Sequence, residues 1–184
     1  MSYSRSVVSA LFFAFVFSVP VVTAASAQEA GPEGPPSRIK NYGTWSTRCL
    51  TNPQNQKDVC HAFVEIERSL SGDDADKKAR VLLLNIGYHP KGEGMLVVAL
   101  APLGVVLPVG IGYQVDDGSK FGGPFAFCVP YGCQSDLLLD EQKLEEIKNG
   151  KVLKVFFTGI RQGNVEIPVG LDGITAALGA LPKP

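Results

Sequence analysis

Histidine is nearly missing from this sequence. His61 and His89 are the only two in 184 residues. A zinc site needs three or four ligands in matched geometry, so the pair cannot build one alone. Asp58 and Cys60 stand beside His61, but Cys60 has a better use in a disulfide. No G-x-S-x-G elbow occurs, so that form of serine hydrolase has no support. No phosphate loop occurs either, because the glycines of "GVVLPVGIG" lack the Lys-Ser/Thr end that such a loop requires. Charge of one sign is also lacking, with 17 basic against 18 acidic side chains. Nucleic-acid binding calls for a clustered basic excess, and an anionic lipid surface calls for a Lys/Arg-rich helix; neither is present. "GDDAD" (Asp73, Asp74, Asp76) lacks the spacing and closing Glu of a calcium loop. It reads as a solvated turn. These absences point away from an enzyme, a metal protein, a cofactor protein and a nucleic-acid partner.

The N-terminus is where the sequence first declares itself. "MSYSRSVV" carries one positive side chain, "SALFFAFVFSVPVV" is apolar, and "TAASAQEA" places small residues at Ala25 and Ala27. That is the three-part pattern of a secretory signal peptide, residues 1–27, cleaved before Gln28. An uncleaved anchor is disfavoured by the short apolar region and by Pro20. Residues 28–38 open with "QEAGPEGPPS", a Pro/Gly-rich stretch with almost nothing to bury, and read as a disordered tether. Residues 39–182 suit one domain.

Four cysteines follow the leader: Cys49, Cys60, Cys128 and Cys133. An even count in an oxidising compartment reads as two disulfides. Three pairings are open. Nearness in sequence, with turn residues between, favours Cys49–Cys60 and Cys128–Cys133. Loops this short contribute about 2–3 kcal/mol per bridge in the chain-entropy model. "CVPYGC" is unlike a dithiol oxidoreductase motif, which separates its cysteines by two residues at a helix N-terminus. Here four residues intervene, Pro130 and Gly132 among them, between segments that read as strands. Trp45, close before Cys49, reads as core packed on a bridge.

Strand signals dominate the rest. "NYGTWSTRC" is short and aromatic. "CHAFVEIER" puts Ala62, Val64 and Ile66 on one face, with Glu65 and Glu67 on the other. "ARVLLLNIGYH" is apolar on both faces, as a central strand is. "KVLKVFFTG" and "NVEIPVG" are further strands, and Pro168 makes the latter an edge strand. One short helix is expected near residues 140–149. Asp140 caps it, Glu141 lies in its first turn, Leu144 and Ile147 share a face, and Asn149-Gly150 stops it. Glu145 and Glu146 face solvent there. "DGITAALGAL" fits a closing helix or turn. Met95 to Val115, "MLVVALAPLGVVLPVGIGYQV", holds no charge for the length of a membrane span. Pro102, Pro108 and three glycines cut it into "MLVVALA", "GVVL" and "GIGYQV", pieces of strand length, so the mature chain has no transmembrane span. The leftover link, with Pro102, Leu103, Gly104, Leu107 and Pro108, would form an interaction patch if exposed. Short strands split by Gly/Pro turns make the chain all-β, a sandwich or a barrel.

Several of these pieces together resemble the invasion-associated locus B family. They are "YGTWSTRC" with the second cysteine at Cys60, "APLGVVLPVGIGYQVDDG", "PFAFCVPYGC", "IKNGK" and "IPVGLDG", in the family's order across nearly all of residues 40–180. The resemblance implies an exported bacterial envelope protein with an immunoglobulin-like β-sandwich. It implies Cys49, Cys60, Cys128 and Cys133 as disulfide partners and offers no catalytic residue to carry over. The family's founding member is linked to invasion of host red cells and to the outer membrane. The expected function is a non-catalytic binding protein, periplasmic or outer-membrane-associated, whose partner is an envelope protein. The alternative is a secreted adhesion or virulence factor that meets a host surface; a thiol-disulfide enzyme comes third.

N-terminal sequencing of the exported protein should begin at Gln28, and alkylation of the unreduced, unfolded protein should find no free thiol. A full-length N-terminus would sink the cleavage assignment; any labelled thiol would sink the two-bridge assignment.

Overall fold

The structure, a computed structural model, describes residues 37–69 and 76–183. The expected leader, most of the tether and most of the "GDDAD" turn lie outside these residues. Eleven strands and two helices follow in order: β1 Ser37–Tyr42, β2 Trp45–Thr51, β3 Asp58–Ser69, β4 Lys78–Tyr88, β5 Met95–Ala101, β6 Ile111–Val115, β7 Phe121–Gly123, β8 Phe127–Val129, β9 Gly132–Leu139, α1 Glu141–Asn149, β10 Val152–Gly159, β11 Gly163–Gly170 and α2 Ile174–Gly179. They form two antiparallel sheets. One has the order β1-β2-β3-β4-β5-β9-β8 and the other β11-β10-β6-β7. The fold is an all-β sandwich. β1 begins at Ser37, so the last two residues of the expected tether, Ser37 and Arg38, already pair with β2.

Period-two alternation supplies the core. Trp45 and Thr47 of β2, Ala62 and Val64 of β3, and Leu82, Leu84 and Ile86 of β4 are buried on the inner face of the large sheet. Ile111, Tyr113 and Val115 of β6, Leu153, Val155 and Phe157 of β10, and Ile167 and Val169 of β11 answer from the small one. Each large aliphatic side chain buried in this way stabilises the fold by about 1.5–3 kcal/mol. β4 is the middle strand of its sheet and β11 an edge strand, as their patterns require. The helix expected near 140–149 is α1. The Asp140 carboxylate accepts from the Lys143 N–H at 2.7 Å, and Ile147 is its buried residue. The closing segment is the shorter α2, which buries Ile174, Ala177 and Leu178 and packs on β1, β2 and β3. The Thr175 hydroxyl donates to the Lys148 carbonyl at 2.8 Å and ties the two helices together.

Met95 to Val115 crosses from one sheet to the other. β5 and β6 take its two ends. "GVVL" does not form a strand; it contributes an isolated bridge, Val105 with Gly159, and a short 3-10 turn, Leu107–Val109, follows. Pro108 lies inside that turn, where its fixed φ suits the tight backbone. No helix among the described residues is long and apolar enough to cross a membrane.

"NYGTWSTRC", which looks like one strand, is a hairpin. Gly43 turns it with φ +62°, a left-handed conformation that costs glycine little. This turn locks onto the end of β11. The Thr44 N–H donates to the Asp172 carboxylate at 2.9 Å, the Thr44 hydroxyl donates to the same carboxylate, and the Trp45 indole N–H donates to the Gly170 carbonyl at 2.9 Å. Gly173 permits the approach, since a Cβ there would lie 1.7 Å from the Tyr42 carbonyl oxygen. At the far end of β3, Ile66 pairs with Leu82 but Glu67 pairs with Arg80. Val81 is the extra residue of a bulge, a feature that bends a strand and re-aims a side chain.

Trp45→Ala should destabilise the protein by about 3–5 kcal/mol, whereas Trp45→Phe should lose less, chiefly the indole hydrogen bond at about 1 kcal/mol. A Trp45→Phe protein as stable as the parent in urea titrations would show that the bond contributes nothing. The Thr44 hydroxyl and N–H hold the Asp172 carboxyl below the usual carboxylate range. A carboxyl lowered on folding stabilises the folded state above its unfolded pKa of about 4, and that contribution is lost as pH falls through the lowered folded value. Asp172→Asn should therefore flatten the acid limb of the stability curve and leave its slope near neutrality unchanged.

Candidate functional site

The link between β5 and β6 is sewn to the β10–β11 hairpin. The Val106 N–H donates to the Thr158 carbonyl at 2.7 Å and the Ile160 N–H donates to the Gly104 carbonyl at 2.8 Å. This backbone pairing continues the β10 ladder past the end of β6. It holds the link in one conformation while its side chains divide. Val105 enters the core at 6% exposure, whereas Leu103 (57%), Leu107 (46%) and Val109 (62%) face outward. Ile160, in the hairpin turn beside Gly104, is 73% exposed. Pro102 is half-buried, and Gly104 and Pro108 are exposed. The candidate patch is thus a rigid apolar ridge with one buried root. Sequence reading found five of its residues and missed Ile160 and Val109. Ile160 carried a signal, an isoleucine among turn residues in "TGIRQGN".

Beside the ridge lies a cleft of about 490 Å³, within the range of ligand-binding pockets. Its floor is apolar, built from the buried Val105, Phe157 and Ile167. Val81, turned out of register by the bulge, forms part of a wall. Arg68, Gln162, Asn164 and Glu166 stand around the rim. Arg68 and Glu166 form no salt bridge among the described residues. None of these rim residues was foreseen, because Arg68 comes from β3 and the other three from the β10–β11 hairpin, and they share no local pattern.

No cysteine lines the cleft, although Cys133 pairs with Ala101, the residue before Pro102. Cys49 faces Cys60 across β2 and β3 with Cα atoms 4.1 Å apart. Cys128 faces Cys133 across β8 and β9 at 3.9 Å. Both pairs are at disulfide distance, and each joins directly opposed residues of a hairpin, where antiparallel geometry brings Cα atoms close. His61 stands on the outer face of β3 near Arg48 and Phe63, with the Arg48 guanidinium 4.4 Å above the Phe63 ring. Burial lowers the His61 pKa, and the Arg48 charge lowers it further. His89 lies 3.5 Å from Glu93. Among the described residues no three His, Cys, Asp or Glu side chains gather as metal ligands do. Two buried polar atoms, the Tyr113 hydroxyl and Ser135 Oγ, find no hydrogen-bond partner among the described residues. Burial pushes the Tyr113 phenol well up, and the Asp136 charge adds to the shift. Neither residue lines the cleft.

The chain is similar to known proteins in sequence and in fold. The family model described as invasion associated locus B protein matches residues 45–182. A curated relative, "Invasion protein B" of Bartonella bacilliformis, is 28% identical over 152 residues, which span 80% of this chain and 76% of the relative. The crystal structure of invasion associated protein B from Bartonella henselae superposes with a TM-score of 0.60 at 25% identity, covering 78% of this chain and 93% of that one.

The division of the link into root and ridge is open to measurement. Val105→Ala removes two buried carbons and should cost about 1.5–2.5 kcal/mol. Leu103→Ala, on the outer side, should stay within about 0.5 kcal/mol. A stability loss at Leu103 as large as that at Val105 would mean that the ridge is core.

Proposed function

The chain belongs to the invasion-associated locus B family, and we propose that it is an exported, non-catalytic binding protein of the cell envelope that meets its partner through the 102–109 ridge. The observation that carries this reading is the exposure of Leu103, Leu107, Val109 and Ile160 together on backbone that hydrogen bonds hold fixed. An exposed apolar cluster favours association because burying it removes apolar surface from water. A rigid one loses little conformational entropy on binding. Two features support export: the signal-peptide pattern of residues 1–27 and the two cysteine pairs at disulfide distance, which suit an oxidising compartment.

A second reading, a secreted factor that contacts host cells, is favoured by the name of the relative, "Invasion protein B". Location distinguishes the two. Release by osmotic shock supports the envelope role, and accumulation in the medium supports the secreted one.

The double substitution Leu103→Glu and Leu107→Glu should leave the unfolding free energy from urea titration within about 0.5 kcal/mol of the parent. It should also abolish cross-linking of the tagged protein to its envelope partner in living cells. A folded variant that still cross-links to the same partner would overturn the ridge as the contact surface.

A further inference from the structure

Asn164, Val165, Glu166 and Ile167 all line the cleft. Successive side chains of a strand point to opposite faces, so a hollow that touches four in a row meets the strand along its edge. A second hollow shares Asn164, Val165 and Glu166 with the first and takes in the outer face of the small sheet at Gly112 and Phe156. That edge is open. Among the described residues β11 is outermost in its sheet, and β10 is its one partner strand. Pro168 indicates which backbone groups face outward. It sits opposite Lys154 in the ladder and has no N–H, so it is accommodated where its nitrogen points away from β10. Steps of two place the N–H and C=O groups of Glu166 and Asn164 on the same open side.

We propose that β11 takes up an extended peptide from a partner protein as an added strand, along Gly163–Ile167 and ending at Pro168. This is recognition by strand addition, in which main-chain hydrogen bonds supply affinity and side-chain pockets supply selectivity. The cleft specifies the peptide. Alternate aliphatic side chains enter toward Val105, Phe157 and Ile167, and an acidic residue meets Arg68, whose guanidinium has no acidic partner among the described residues. The bulge that lifts Val81 out of register shapes the wall on that side. The chain's own "QEAGPEGPP" is a poor occupant, with no Val, Ile, Leu or aromatic residue to fill the floor. The proposal rests on the reading of this chain as a binding module and adds the class of partner: an exposed segment that alternates aliphatic residues and carries an acidic one.

The probe is the fluorescein-labelled peptide VEVTV, with VKVTV as the charge-swapped control and a backbone N-methylated VEVTV as the ladder control. Fluorescence anisotropy on the exported chain should show VEVTV binding and both controls weaker by roughly tenfold or more, the change expected for one lost charged or main-chain hydrogen bond. Glu166→Pro mimics Pro168: it removes one outward N–H without breaking the ladder to β10. It should lose VEVTV binding, while Glu166→Gln, which keeps the N–H, should retain it. Arg68→Glu should reverse the preference toward VKVTV. Hydrogen exchange should slow at the amides of Asn164 and Glu166 when peptide is added. Absent VEVTV binding, unchanged exchange at these two amides, or a folded Glu166→Pro protein that binds like the parent would each overturn the proposal. A parent dimer that Glu166→Pro dissociates would also overturn it, because the occupant would then be a second copy. If the peptide tests fail while Leu103→Glu, Leu107→Glu still abolishes cross-linking to the envelope partner, strand addition falls and the binding-module reading stands.

Discussion

The hydrogen bonds from Thr44 and Trp45 to Asp172 and Gly170 fix one sheet against the other. The hydrophobic effect that joins the sheets is non-directional; by itself it brings two apolar faces together without choosing how far one slides along the other. The junction makes the choice. It sets the first turn of the large sheet on the last strand of the small one, and Gly43 and Gly173 leave room for a contact that side chains would block. With Gly170 anchored there and the Gly159–Gly163 turn held by the β5–β6 link, β11 is fixed at both ends. Its middle has a free edge.

The same arrangement explains how a link can be both apolar and exposed. A loose loop with these side chains would tend to collapse onto the core. Here backbone hydrogen bonds to Thr158 and Ile160 commit the chain to a path on which Val105 alone points inward. The sandwich stabilises the link, and the link keeps Leu103, Leu107 and Val109 outside. Charge has little part in holding this region. The ion pairs among the described residues are at least partly exposed and do not line the cleft, and exposed pairs typically contribute about 0–1 kcal/mol.

Much of the fold was legible because it follows local rules. Alternation marked the inner face of β3, apolarity on both faces marked β4 as central, Pro168 marked β11 as an edge, and Asp140 with Gly150 bounded α1. Two features escaped because they depend on tertiary contacts. The strand-like "GVVL" became a bridge and a turn, since β10 offers it pairing at only one position. "NYGTWSTRC" hid a turn at Gly43, whose partner, Asp172, is 129 positions later in the sequence. The site divides in the same way. The ridge is contiguous in sequence and its apolarity could be seen. The cleft is assembled from β3, β4, the link and the β10–β11 hairpin, so no spacing within any one segment announces it.

An open strand edge is ordinarily a hazard, because it templates pairing with any extended chain. β11 has the protections that such edges use: Pro168 interrupts the ladder, and Glu166 places a charge on it. Those protections are uneven. Pro168 guards the Gly170 end, next to the junction, whereas Gly163 to Ile167 carries the Glu166 charge but keeps its main-chain groups open beside an apolar cleft. A strand protected throughout would pair with nothing, and one protected nowhere would aggregate. Protection at one end permits a short ladder of fixed length, and the adjoining cleft supplies the selectivity that main-chain hydrogen bonds lack. In this arrangement Arg68 admits by charge, the floor admits by shape, and Pro168 sets where the added strand must stop.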